Sequence, residues 1–165
     1  MRWIERFAFL HPIWLLVSLV GYFALSLAMA PMATTHAPVL IPAMAILGFT
    51  LPLLWITGLR ALARQAMGMA PWNGWSWVYA AVPLASVVAA ASLTTALEIA
   101  GAAIFGATIA YFTSIWLTAR ALAAYQRGPG AVALTIGTAL LLVYYIIGAW
   151  VLRPVVRQLK AATSE

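Results

Sequence analysis

Residues 77–122 read WVYAAVPLASVVAAASLTTALEIAGAAIFGATIAYFTSIWLTARAL, and the fold turns on this stretch. Between Trp77 and Leu122 the basic residue is Arg120 and the acidic one is Glu98. As one helix the stretch would be about 65–70 Å long, more than twice the ~30 Å hydrocarbon core of a bilayer. It must therefore fold back on itself. The one convincing break is Ser92-Leu93-Thr94-Thr95-Ala96-Leu97-Glu98. The spacing predicts a short third helix over 78–91, carrying Pro83, and a fourth over 96–123.

Three further apolar runs flank this pair. The first, 13–30, is entered through His11-Pro12, with proline favoured in a first helical turn. It ends in Ala28-Met29-Ala30, which resembles a signal-peptidase site. The run is longer than a signal core of roughly 7–15 residues, however, and Pro31 follows, so it reads as a retained helix. The second run carries Pro42 and Pro52 and continues as helix over 39–66, through Arg60 and Arg64, towards a stop at Gly68. The last, 131–152, follows Arg127-Gly128-Pro129-Gly130. Residues 1–12 read as an interfacial amphipathic segment, with Trp3, Phe7 and Phe9 beside Arg2, Glu5 and Arg6. Residues 153–165 form a basic tail with Arg153, Arg157 and Lys160. The expected fold is all-α: a polytopic transmembrane helix bundle of about five spans, with four spans plus a re-entrant segment as the alternative.

Composition points the same way. Of 165 residues, 65% are hydrophobic and 7% charged, and the mean hydropathy is +1.01. A soluble domain carries about a quarter charged residues, so the expected solvent for most of this surface is the lipid bilayer. The net charge of +6 is not a nucleic-acid footprint, because the cations sit in pairs at the ends of apolar runs rather than on one face. There is no cysteine, which excludes disulfides and thiolate chemistry.

Cations also set the orientation. With a cytoplasmic amino terminus, five spans place Arg60, Arg64, Arg120 and Arg127 inside as interfacial anchors, but leave Arg153, Arg157 and Lys160 outside, against the positive-inside rule. Making the third run re-entrant brings the tail inside and exports Arg120 and Arg127. The tryptophans are the second set of anchors. Trp3, Trp72, Trp75 and Trp77, with Trp55, Trp116 and Trp150, are expected near the two bilayer faces, and Trp14 slightly deeper. Two segments look related: Leu54-Trp55-Ile56-Thr57 followed by Arg60-Ala61-Leu62-Ala63, and Ile115-Trp116-Leu117-Thr118 followed by Arg120-Ala121-Leu122-Ala123. They suggest an internal repeat of two parallel hairpins, an arrangement found in small transporters.

Few residues carry candidate chemistry. Glu98 lies away from both termini, and an ionisable group in a membrane helix is by default a candidate ion or proton site. Thr95-Ala96-Leu97-Glu98 also has the spacing of a capping box, which would hold Glu98 at a helix start. His11 and His36 bracket the first helix and so lie on opposite faces, which argues against a haem or metal between them; no cofactor and no metal is expected. Hydroxyl lines recur on single faces: Ser18, Tyr22 and Ser26; Thr108, Tyr111 and Thr118; Thr135, Thr138 and Tyr145. They read as packing seams, with a polar path as the alternative. Ala102, Gly106 and Ala110, widened by Gly101, make a flat small-residue face, with Ala133 and Gly137 as a facing surface on the last helix. No nucleophile–base pair emerges, so no enzymatic activity is expected. The function expected is a non-catalytic accessory or scaffold subunit in a bacterial inner membrane, binding other membrane proteins or itself. The alternative is a small-solute or proton-linked transporter or channel using Glu98.

Overall fold

Each apolar run becomes α-helix, in which the backbone satisfies its own polar groups. A computed structural model describes residues 8–9, 11–29, 33–92 and 96–164; within these, the side chains of 26, 29, 33–47, 49, 90 and 164 are outside the description. Trp3, Arg2, Glu5 and Arg6 of the expected interfacial segment, Thr95 of the expected capping box, and the side chains of Ser26 and His36 all lie outside the described residues. Among the described residues there are seven helices and no strand. They are α1 (Pro12–Met29), α2 (Ala33–Ala66), α3 (Trp77–Ser92), α4 (Leu97–Arg127), α5 (Val132–Val143), α6 (Tyr145–Val151) and α7 (Arg153–Ser164). One of them, α4, is long and apolar enough to cross a membrane; α1, α3 and α5 contain shorter apolar stretches.

The stop of α2 follows from its last residues. Gly68 takes φ +69°, a conformation only glycine adopts without strain. Its N–H reaches the Gln65 carbonyl at 2.8 Å and the Met69 N–H reaches Arg64 at 2.9 Å. This is a Schellman closure, which satisfies carbonyls that the helix end would otherwise orphan. Arg64 Nε then donates to the Ala70 carbonyl at 2.7 Å, fixing the turn that follows.

Helices α2, α3 and α4 pack against one another and form the centre of the bundle. Ten residues separate α2 from α3 and four separate α3 from α4, so each of these packed pairs is antiparallel and α2 runs parallel to α4. Their core lies towards one end, where Trp55, Ile56, Leu59 and Leu62 of α2 meet Val78 and Val82 of α3 and Ile115 and Leu122 of α4, all buried. Helix α1 packs on α2 and α5 on α4. A Cβ at Gly48 would stand 2.9 Å from the Tyr22 ring, so α1 approaches α2 closely there. Counting back from Tyr22 to His11 and forward equally from Gly48 places the start of α1 level with Leu59.

The last apolar run does not form an unbroken helix over 131–152. It breaks at Tyr144, with φ −89° and ψ 56°. A Cβ on Gly148 would run into the Leu141 carbonyl, standing 2.7 Å from its carbon. Seven residues of straight helix would separate those positions by about 10 Å, so α6 folds back along α5. Trp150 then meets His11 edge to face at 5.8 Å. Helix α7 continues onto α2 with Leu159 fully buried, and Lys160 Nζ lies 5.5 Å from the centre of the Phe9 ring. The basic tail is therefore helical, and it docks beside the start of α1. Arg60, Arg64, Arg120, Arg127 and the cations of α7 gather at one end of the bundle, and Glu98 begins α4 at the other. In the straight-run scheme the tail lay on the opposite side from these arginines; the fold-back at Tyr144 reverses that.

Candidate functional site

At the cationic end, the parallel ends of α2 and α4 and the start of α3 bring together a cluster of polar side chains inside an apolar core. Arg60 is its centre and is 4% exposed. The turn after α2 places Asn73 back over it: Arg60 Nη2 donates to Asn73 Oδ1 at 2.7 Å, and the same oxygen accepts from the Trp75 N–H at 3.3 Å. The guanidinium carbon lies 5.2 Å from the centre of the Tyr79 ring, a cation–π contact that strengthens when water is excluded. Arg60 Nη1 is buried and has no hydrogen-bond partner among the described residues. Leaving a charged donor unpaired in such a place costs several kcal/mol by the usual desolvation reckoning.

Beneath the arginine, Tyr79 joins the three central helices. Its hydroxyl lies 2.8 Å from Thr118 Oγ1 and 3.2 Å from the Ser114 carbonyl. Thr118 Oγ1 in turn lies 3.4 Å from the Ile56 carbonyl of α2. Each hydroxyl has one proton to give, so the Tyr79–Thr118 pair spends two protons among three acceptors. Ser114 and Thr57 return theirs to their own helices, at Ala110 (2.8 Å) and Leu53 (2.6 Å). These hydroxyls hold helices together and present no free nucleophile.

The other residues singled out in the sequence are dispersed. Glu98 is exposed in the first turn of α4, whose N-cap is Ala96 and makes no side-chain cap bond. That register puts Glu98 one position earlier than a capping box requires, where its charge still complements the helix dipole. Of the α4 hydroxyl line, Thr118 enters the buried network, Tyr111 is half-buried, and Thr108 is exposed with its hydroxyl on the Ile104 carbonyl at 2.9 Å. Thr135 and Thr138 are buried in α5, and Tyr145 is half-buried just past the break. Thr108 lies instead on an open groove of about 640 Å³ between α4 and α5, walled by Ile109, Phe112, Trp116, Ile136 and Leu140. Gly101, Ala102 and Gly106 are exposed, as are Ala133 and Gly137, so the two small-residue faces do not meet. Nothing lies within 4 Å of a Cβ built on Gly101, Gly106 or Gly137.

The two related segments run side by side in the same direction but are used differently. Trp55 and Arg60 are buried, whereas Trp116 and Arg120 are exposed. The one-residue difference in Trp-to-Arg spacing rotates one helix by about 100° relative to the other, yet Thr57 and Thr118, and Leu62-Ala63 and Leu122-Ala123, are buried alike. Trp55 is thus a core residue rather than a surface anchor, while Trp75, Trp77 and Trp150 are exposed, Trp72 is half-buried, and Arg64 is half-buried beside exposed Arg120 and Arg127. Sequence reasoning assigned Arg60 to an interface and missed its burial. The available signal was Asn73, an amide that can fold back within the short turn after α2. Among the described residues no group of three or more His, Asp or Glu comes together to hold a metal. No protein-family description, no curated protein and no solved structure matches this chain.

Proposed function

We propose that the chain is a multi-pass membrane protein of four spans, α1 to α4, with α5–α6 as a re-entrant fifth run, serving as a non-catalytic accessory or scaffold subunit. Two observations support the membrane part. Only 22% of the most apolar window of α4 is buried, whereas the core helix of a soluble protein is mostly covered. Large apolar side chains also face outward along the bundle, with Leu97 74%, Phe105 68% and Leu84 66% exposed; a surface this apolar is solvated by acyl chains at little cost and by water at a large one. The re-entrant run places the bundle's described arginines and Lys160 on one side, which is the cytoplasmic side by the positive-inside rule.

The accessory role is carried by one observation: the small-residue face of α4, at Gly101, Ala102 and Gly106, has no partner within the described bundle. Such faces let helix backbones approach closely in a bilayer. The test is Gly101→Leu with Gly106→Leu. Both side chains enter open space, so the bundle should fold and melt as before while association measured in lipid by energy transfer between labelled copies, or by co-purification with a membrane partner, is lost. A double variant that associates like the wild type refutes the role. Because the chain has no cysteine, sidedness is testable with single cysteines. Ala70→Cys and Thr163→Cys should react with an impermeant reagent from the same side, and Glu98→Cys from the other.

A further inference from the structure

Arg60 is a buried cation for which the described residues supply no anion. Nη2 is spent on Asn73 and the guanidinium face lies on Tyr79, but Nη1 is buried and unpartnered. The chain has three carboxylate side chains against nine Lys and Arg, and the one described, Glu98, is exposed at the opposite end. Asn73 is itself exposed, so the guanidinium lies one side chain beneath the surface of the turn 67–76. Arg64, at the root of that turn, adds a second positive charge. A guanidinium presents parallel donors that match two oxygens of one oxyanion. Here one of those positions is filled by an amide carbonyl and the adjacent one by nothing.

We propose that Arg60 and the turn 67–76 form an oxyanion site that takes a phosphate group, with Asn73 Oδ1 standing in for one of its oxygens. One phosphate oxygen replaces the amide carbonyl on Nη2, and a second satisfies Nη1. The group comes from a bilayer lipid headgroup or from free phosphate, and the experiment separates these sources. The lipid source rests on the membrane reading above; the phosphate chemistry does not.

The full chain, purified in an uncharged detergent, is titrated with dioctanoyl phosphatidylglycerol, with dioctanoylglycerol, which lacks the phosphate, with inorganic phosphate and with acetate. Binding is read by native mass spectrometry and by the melting temperature. One phosphatidylglycerol bound per chain with a raised melting temperature, and no response to dioctanoylglycerol, is the expected result. An equal response to inorganic phosphate assigns the site to the free ion and still supports it. Arg60→Lys keeps the charge but loses the fork and should bind roughly tenfold more weakly or worse, as expected for losing a charge-assisted hydrogen bond. Asn73→Ala, which frees Nη2, should bind at least as tightly as the wild type. The proposal fails if no phosphate-bearing probe binds the wild type, if Arg60→Lys binds unchanged, if Asn73→Ala loses binding, or if acetate stabilises as well as phosphate. A chain that stays dispersed without detergent yet still binds phosphate at Arg60 would remove the membrane reading and leave this site standing.

Discussion

Replacing Gly148 with alanine distinguishes a folded-back terminal run from a straight one by the sign of its effect. In the structure the added methyl meets the backbone of Leu141 and stands 2.7 Å from its carbonyl carbon. The obstacle is main chain, so no rotamer change relieves it. Helix α6 must shift by about 1 Å, and overpacking of this kind costs typically 1–3 kcal/mol. The shift also moves Trp150 from His11 and loosens the seat of α7. In an unbroken helix over 131–152 the same substitution would replace a poor helix former with the best one and stabilise by about 1 kcal/mol. Gly137→Ala is the internal control: nothing lies within 4 Å of its Cβ, and it should be neutral to slightly stabilising. Thermal melting in detergent micelles, followed by tryptophan fluorescence, gives both numbers. A Gly148→Ala protein as stable as, or more stable than, the wild type would refute the fold-back and the one-sided gathering of cations with it.

Three further outcomes are expected. Trp55→Ala should destabilise by about 3–5 kcal/mol, as removing a fully buried aromatic does, whereas Trp116→Ala, at a residue 45% exposed, should cost less than about 1 kcal/mol; equal losses would contradict the different facing of the two related segments. Tyr79→Phe and Thr118→Val should each cost about 1 kcal/mol, and the double variant less than their sum, because both remove the same 2.8 Å bond; strict additivity in a double-mutant cycle would remove the coupling. Glu98→Gln should change stability by no more than about 0.3–1 kcal/mol, the worth of a charge at a helix start, and leave proton flux into reconstituted vesicles at background; loss of a measurable flux would favour the transporter reading.

The sequence made the helices legible because long apolar runs leave little else to form. The run from Trp77 to Leu122 was expected to break on grounds of length, and one helix does end at Ser92 and the next begin at Leu97. The stop at Gly68 was readable because one residue type dominates that conformation. The break at Tyr144 was not readable. Nothing in Leu141-Leu142-Val143-Tyr144-Tyr145 is a helix breaker, and the only trace is Gly148, whose role depends on an approach that sequence does not record. Charge balance offered four spans with the third run re-entrant as the alternative to five, whereas the run that breaks in the structure is the last. The candidate site was half visible: the residue types of Thr118 and Tyr79 were plain, while Arg60 is buried because α2 is covered on every side from Trp55 to Ala63, which no residue spacing records.

The clasp of α6 on α1 and of α7 on α2 joins residues that lie far apart along the chain. Contacts of such long separation cannot form until α7 itself has been made. A chain cut short at residue 151 would retain the three central helices and lose Leu159, the buried peg of the final helix. Quality control that inspects the tail would therefore be inspecting whether the amino-terminal hairpin has been correctly seated.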